Sequence, residues 1–191
     1  MTVSSRGRQE GINAVSMYVE SNIQFDFTNA HKVIEFEALL KDFPGASPTV
    51  RNTFWPGIDF HIEEQSGEAI WLEVKSWNPT VISPKNRGGS RRSFQCKMKS
   101  APFAEAMRGK FFGTSAYFGW DNRPLPTRVL FLLLFEPPQP IDSALMLTFG
   151  HKIKSQLMPP KVIPWRKRIE VAAMDLTEWN KRYPDYPTIF E

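Results

Sequence analysis

Between Trp55 and Trp77 the chain alternates apolar and polar residues on either side of a polar turn. The first run is Gly57-Ile58-Asp59-Phe60-His61-Ile62 and the second is Ala69-Ile70-Trp71-Leu72-Glu73-Val74-Lys75. A period of two predicts a pair of strands, with Ile58, Phe60 and Ile62 on one core face and Ile70, Leu72 and Val74 on the other strand's core face. Asp59 on one strand, and Glu73 with Lys75 on the next, then share the opposite face. If Gln65-Ser66-Gly67 is a three-residue loop with Gly67 in the left-handed region, Glu64 faces Glu68 and Asp59 lies across from Glu73.

The rest of the pattern predicts strands and helices in turn. Ser4 or Ser5 caps a helix running to about Ser21, with Ile12, Val15 and Val19 as its apolar stripe. Ile23 to Phe27 reads as a strand. Thr28-Asn29 is positioned to cap a helix over 30–41, although Ile34-Glu35-Phe36-Glu37 alternates well enough for a strand, so both readings stay open there. A basic helix starts near Ser90, and Pro102 kinks or restarts it. Arg128 to Phe135 is an unbroken apolar run, the pattern of a central strand covered on both faces. Asp142 caps a helix with Leu145, Phe149, Ile153 and Leu157 in one stripe. A strand over 169–176 and a short helix capped by Thr177 follow, and the tail over 183–191 packs on the body. The expected class is α/β (α+β), a mixed central sheet flanked by helices.

At 191 residues the chain suits a single domain spanning 1–191 with one substantial core. A hydrophobic fraction of 41% and a charged fraction of 23% are those of an ordinary folded chain. The single cysteine, Cys96, excludes an internal disulfide and a thiolate metal cluster, fits a reducing compartment, and reads as a small, partly buried residue. The longest apolar run, Val129 to Phe135, is far short of the roughly 20 residues that span a bilayer, and no apolar segment follows the charges of the first residues. A cytoplasmic protein without a membrane partner is expected.

Charge changes the picture where it clusters. Formal net charge is +4. The loop over 78–93 carries only positive charges, Lys85, Arg87, Arg91 and Arg92, and Lys97 and Lys99 continue them on the helix that Gln95 opens. Such a run suits backbone phosphates, with Gln95 in reach of a phosphate or a base edge. His151, Lys152 and Lys154, and Arg166 to Arg168, form further basic groups. Trp71 and Trp77 have the parity of Glu73 and Lys75, which suits either core packing or walls on which a base stacks.

Two carboxylates directly opposed in a sheet have Cβ atoms roughly 4.5–5.5 Å apart and repel. A hard divalent cation is a natural compensation. An Asp near the start of one strand, Glu-x-Lys on the next and a basic helix after it resemble the PD-(D/E)XK nuclease superfamily, carried here by Gly57-Ile58-Asp59 and Glu73-Val74-Lys75. Pro56 stands three residues before the aspartate rather than next to it. The resemblance covers about Trp55 to Lys110 directly.

It implies a Mg2+-dependent (or Mn2+-dependent) nuclease, a hydrolase of phosphodiester bonds acting on DNA in preference to RNA. Asp59 and Glu73 would be metal ligands, the main-chain carbonyl of Val74 a further one, and Lys75 the group that positions the attacking water. Glu10 and Glu37 are the two candidates for an additional acid. Glu-x-Lys alone is frequent in strands as an exposed ion pair worth about 0–1 kcal/mol. The alternative is therefore a non-catalytic nucleic-acid-binding or assembly subunit with a nuclease-like fold, and targeting through a homodimer or a partner subunit is left open.

Overall fold

The computed structural model describes residues 17–41, 56–76, 94–120, 123–137, 142–157 and 168–189. The fold is mixed α/β. Its main sheet has five strands in the order β3-β4-β5-β6-β7: β3 (Lys32–Glu35), β4 (Phe60–Glu63), β5 (Glu68–Ser76), β6 (Arg128–Glu136) and β7 (Ile169–Asp175). The first three pair antiparallel, whereas β5-β6 and β6-β7 are parallel. Parallel neighbours need long crossovers. The helices α2 (Phe94–Lys99) and α3 (Ala101–Trp120) lie in the first of them, and α4 (Ser143–Leu157) in the second. A smaller sheet, β1-β2-β8, is built from Met17–Glu20, Ile23–Asp26 and Thr188–Ile189. The helices α1 (Phe36–Lys41) and α5 (Leu176–Arg182) complete the described elements.

Both faces of the main sheet are buried. On one, Trp71, Phe131, Leu133 and Phe135 pack against Met107 and Phe111 of α3 and Phe149 of α4. On the other, Phe60, Ile62, Leu72 and Leu134 pack against Phe25 and Phe27 at the small sheet and Trp179 of α5. The unbroken apolar run of β6 follows from this: its alternate residues serve two different cores. It also corrects the expectation that the first two hairpin strands have one core face each. Trp71, assigned a polar-face parity, is fully buried and donates from its indole Nε1 to His61 Nδ1 at 3.1 Å. Stacking on a nucleic-acid base is thereby excluded for Trp71.

The hairpin register is the expected one. Phe60 pairs with Leu72, Ile62 with Ile70 and Glu63 with Ala69. Glu64 N–H donates to Glu68 O, and Gly67 has φ of 77°, so residues 65–67 form a three-residue loop with its glycine left-handed. The ladder stops at Phe60, one residue before Asp59. Asp59 N–H donates to Leu72 O rather than pairing at Glu73. That break sends Ile58 into the helix-side core while Phe60 and Ile62 enter the opposite one, so the predicted single stripe of Ile58, Phe60 and Ile62 is split.

Elsewhere the outcome is mixed. The helix expected to reach Ser21 does not include Met17 to Glu20, which form strand β1 because they pair residue by residue with β2 across a turn in which Ser21 and Asn22 both have positive φ; the rest of that expected helix lies outside the described residues. Tyr18 adds ring contacts to Phe27 and Phe60. The segment left open after Ala30 contains both a strand, β3, and a helix, α1. Thr28 does not cap a helix; its N–H donates to the Asp26 carboxylate in a local turn. Pro102 does restart a helix: Ser100 separates α2 from α3, and its Oγ accepts from Phe103 N–H in the manner of an N-cap. Asp142 caps α4 through Ala144 N–H. The cap of α5 is Asp175, not Thr177. The tail packs on the body, with Trp179 Nε1 donating to Tyr186 O and β8 pairing with β2. Cys96 is exposed rather than partly buried. Among the described residues no helix is long and apolar enough to cross a membrane.

Candidate functional site

Asp59 is delivered by a short segment clamped against α3. A Cβ added to Gly113 would lie 2.1 Å from Pro56 O, so only glycine lets that helix approach so closely. One residue on, the buried Thr114 hydroxyl accepts the N–H of Ile58 at 3.1 Å. The Asp59 carbonyl in turn accepts from Phe36 N–H at 3.1 Å. With its main chain held on both sides, Asp59 turns its carboxylate toward β5, where Oδ2 accepts Val74 N–H at 2.7 Å.

Glu73 sits in the middle of β5 opposite Leu133 and has no solvent exposure. Its parity is that of Trp71, so it faces the helices, where Lys110 of α3 meets it. Lys110 Nζ lies 2.6 Å from Glu73 Oε2, 2.5 Å from Glu73 Oε1 and 3.2 Å from Asp59 Oδ1. Lys75 Nζ pairs with Glu73 Oε1 as well. Even so, Glu73 Oε1 is buried without an aligned hydrogen bond. The two carboxylates and two ammonium groups form one cluster at the junction of β4, β5 and α3.

The electrostatics follow from burial. Loss of solvent, and then the nearby charge of Asp59, pushes the Glu73 carboxyl up to about 7 against the pull of Lys110 and Lys75. Burial alone would lower Lys110, but Glu73 and then Asp59 more than offset it and hold the ammonium up to about 12. A buried ion cluster of this kind is costly to desolvate and adds little net stability over apolar residues of the same volume. Perturbed, clustered titrating groups are a feature of functional sites, as well as of structural ion-pair networks.

His61 has the opposite character. It is buried, and its pKa falls to about 4 through desolvation, with Lys32 and Arg123 acting in the same direction. As a neutral acceptor for Trp71 it belongs to the core.

The residues expected to make the site are thus partly gathered. Asp59, Glu73, Val74 and Lys75 come together. Lys97 and Lys99 are exposed on α2, and Lys152 of α4 donates to Lys99 O at 2.6 Å, which joins the basic groups of two helices. Lys85, Arg87, Arg91, Arg92 and Trp77 lie outside the described residues, as do Glu10 and the side chains of Gln95 and Glu37. Among the described residues no group of three or more His, Cys, Asp or Glu side chains converges to hold a metal. Asp59 and Glu73 nevertheless suit a hard cation: both aim carboxylate oxygens at the point now taken by the Lys110 ammonium.

Lys110 is the residue that sequence reasoning did not single out. Its signal was present, since it falls among Phe103, Met107, Phe111 and Phe118 at helical spacing, where a lysine has to find a buried partner. Scans against protein-family models, curated proteins and solved structures each gave no match.

Proposed function

We propose that the chain is a metal-dependent nuclease of the PD-(D/E)XK type, hydrolysing phosphodiester bonds, with DNA as the favoured substrate. The observation that carries the reading is the fully buried Glu73 carboxylate, held beside Asp59 and two lysines at the end of a strand hairpin. Stability does not call for such a cluster. Phosphoryl transfer does, because it needs carboxylates for a cation and positive charge for the phosphoryl oxygens.

Asp59 and Glu73 would hold Mg2+ (or Mn2+), with the Val74 main-chain carbonyl as a further donor. When bound, the ion supplies an activated water and neutralises charge on the phosphoryl group. Asp59 is pre-oriented by its bond to Val74 N–H. Lys75, half-buried beside Glu73, would orient that water. Lys97 and Lys99, joined by Lys152, offer an exposed basic surface for backbone phosphates.

A second reading has its own observation. Lys110 and Lys75 already balance the two acids, as they would in a non-catalytic nucleic-acid-binding or assembly subunit of the same fold. Incubation of the protein with plasmid, linear and single-stranded DNA and with RNA, in Mg2+ or Mn2+, separates the two. Cleavage lost in Asp59→Ala and Lys75→Ala supports the nuclease. Salt-sensitive binding without any cleavage supports the binding subunit.

A further inference from the structure

We propose that Lys110 is a resident counter-cation of the carboxylate pair, whose ammonium occupies the position where a divalent ion would bind and has to withdraw for that ion to enter. The inference rests on the metal-site reading above and assigns Lys110 a role of its own: it sets the metal affinity of the site.

Three observations carry it. First, of the two lysines in the cluster only Lys110 reaches both acids, at 3.2 Å from Asp59 Oδ1 and 2.5 and 2.6 Å from the two oxygens of Glu73. Lys75 pairs with Glu73. Second, the remaining oxygen of Asp59 is committed to Val74 N–H, and Glu73 has no face toward solvent. The carboxylate oxygens left for an incoming ion are therefore the ones that Lys110 holds. Third, Glu73 Oε1 is buried with the ammonium groups of Lys110, at 2.5 Å, and Lys75 against it, so charge compensation of this oxygen requires Lys110 or a cation that replaces it. A divalent ion carries twice the charge and approaches carboxylate oxygens at about 2.0–2.1 Å when it is Mg2+.

Lys110 is also built to leave. Its neighbours Met107 and Phe111 anchor α3 in the core, while the lysine side chain keeps 22% exposure, so its flexible end has a route to solvent that Glu73 lacks. Once withdrawn, the ammonium remains at the rim as a positive group facing an anionic phosphodiester. Charge counting agrees: with both acids ionised the closed cluster is neutral, and a divalent ion added to it leaves a surplus of two positive charges. The lysine thus guards the acids from each other when no metal is bound, at the expense of metal affinity.

Mn2+ titration followed by calorimetry or electron paramagnetic resonance tests this in the wild type, Lys110→Met and Lys110→Arg. Tighter Mn2+ binding by Lys110→Met, at least about tenfold on Coulombic grounds, with Lys110→Arg staying close to the wild type, is expected. Equal affinity in all three proteins, or no binding by Lys110→Met, overturns the proposal. Should Lys110→Met not fold, Mg2+ titration of 15N-lysine-labelled wild type gives a second readout: the protected Lys110 ammonium signal is lost at saturation. Its persistence overturns the proposal. Cleavage assays keep the two readings apart. Tighter metal binding by Lys110→Met without cleavage by any protein leaves the counter-cation and removes the nuclease, whereas metal-dependent cleavage with unchanged affinity does the reverse.

Discussion

The Asp59 carboxylate accepts the main-chain N–H of Val74 at 2.7 Å, so an aspartate side chain stands where the strand ladder would otherwise continue. The contact locks the residue after Glu73 to the end of the neighbouring strand. It also fixes which Asp59 oxygen remains for a cation.

Stability and chemistry at Asp59 should therefore separate. Asp59→Ala leaves a half-buried N–H without its acceptor and should lose about 1–3 kcal/mol in urea denaturation. Asp59→Asn keeps an acceptor of the same shape and should lose less than half as much, yet it removes the charge that a metal needs. Equal losses in the two variants would show that the Val74 contact contributes nothing.

Two buried groups give opposite pH dependences. Glu73 has its folded pKa raised from 4.5 to about 7, so the folded state holds a proton that the unfolded state has released, and stability falls as pH rises through that window. His61 has its folded pKa lowered from 6.5 to about 4, so its contribution is full above 6.5 and is lost as pH falls toward 4. Each is worth up to about 3 kcal/mol, and between pH 4.5 and 6.5 they largely cancel. Glu73→Gln should expose the His61 slope, rising with pH, and His61→Asn the Glu73 slope, falling with pH. Denaturation midpoints of the three proteins across that range check the signs.

Gly113 makes a test of positioning at a distance from the chemistry. Its substitution by Ala forces Pro56 O away from α3, which shifts the segment that carries Asp59. Gly113→Ala should lower both stability and any metal affinity. Thr114→Val, which removes only the bond to Ile58 N–H, should do so more mildly. An unchanged metal affinity in Gly113→Ala would dissociate the clamp from the site.

Lys97 and Lys99 are predicted to contact backbone phosphates. Replacing both with Ala should weaken DNA binding uniformly across sequences and reduce the slope of log affinity against log salt by about 2. The metal affinity should stay the same. A loss confined to one DNA sequence would argue for base reading instead.

Much of this was legible in the chain. Period-two alternation and the Gln65-Ser66-Gly67 turn sufficed for the register, because a glycine free to take positive φ fixes the loop length and the loop length fixes the pairing. That register carried Asp59 close to Glu73 and Lys75, but not into the expected pairing opposite Glu73: the ladder ends at Phe60, and Asp59 joins the cluster through its side chain, at Val74 N–H and Lys110. Three things were not legible. The break at Asp59 depends on α3, whose Gly113 and Thr114 act from more than 50 positions away. The depth of Glu73 depends on helices closing the face that alternation marked as polar. Lys110 required knowing which side of α3 meets which strand. At Met17 to Glu20, helix spacing competed with a two-residue hairpin turn at Ser21-Asn22 that pairs the segment with β2, and pairing prevailed.

Cleavage of supercoiled plasmid by Glu73→Gln and wild type, measured side by side in Mg2+, tests the proposed chemistry most directly. Wild type should nick or linearise the plasmid only when the metal is present, and Glu73→Gln, folded by circular dichroism, should be slower by about 100-fold or more, the order expected for losing one group that stabilises the transition state. Equal rates in the two proteins, or no metal-dependent cleavage by the wild type on any DNA form, would contradict it.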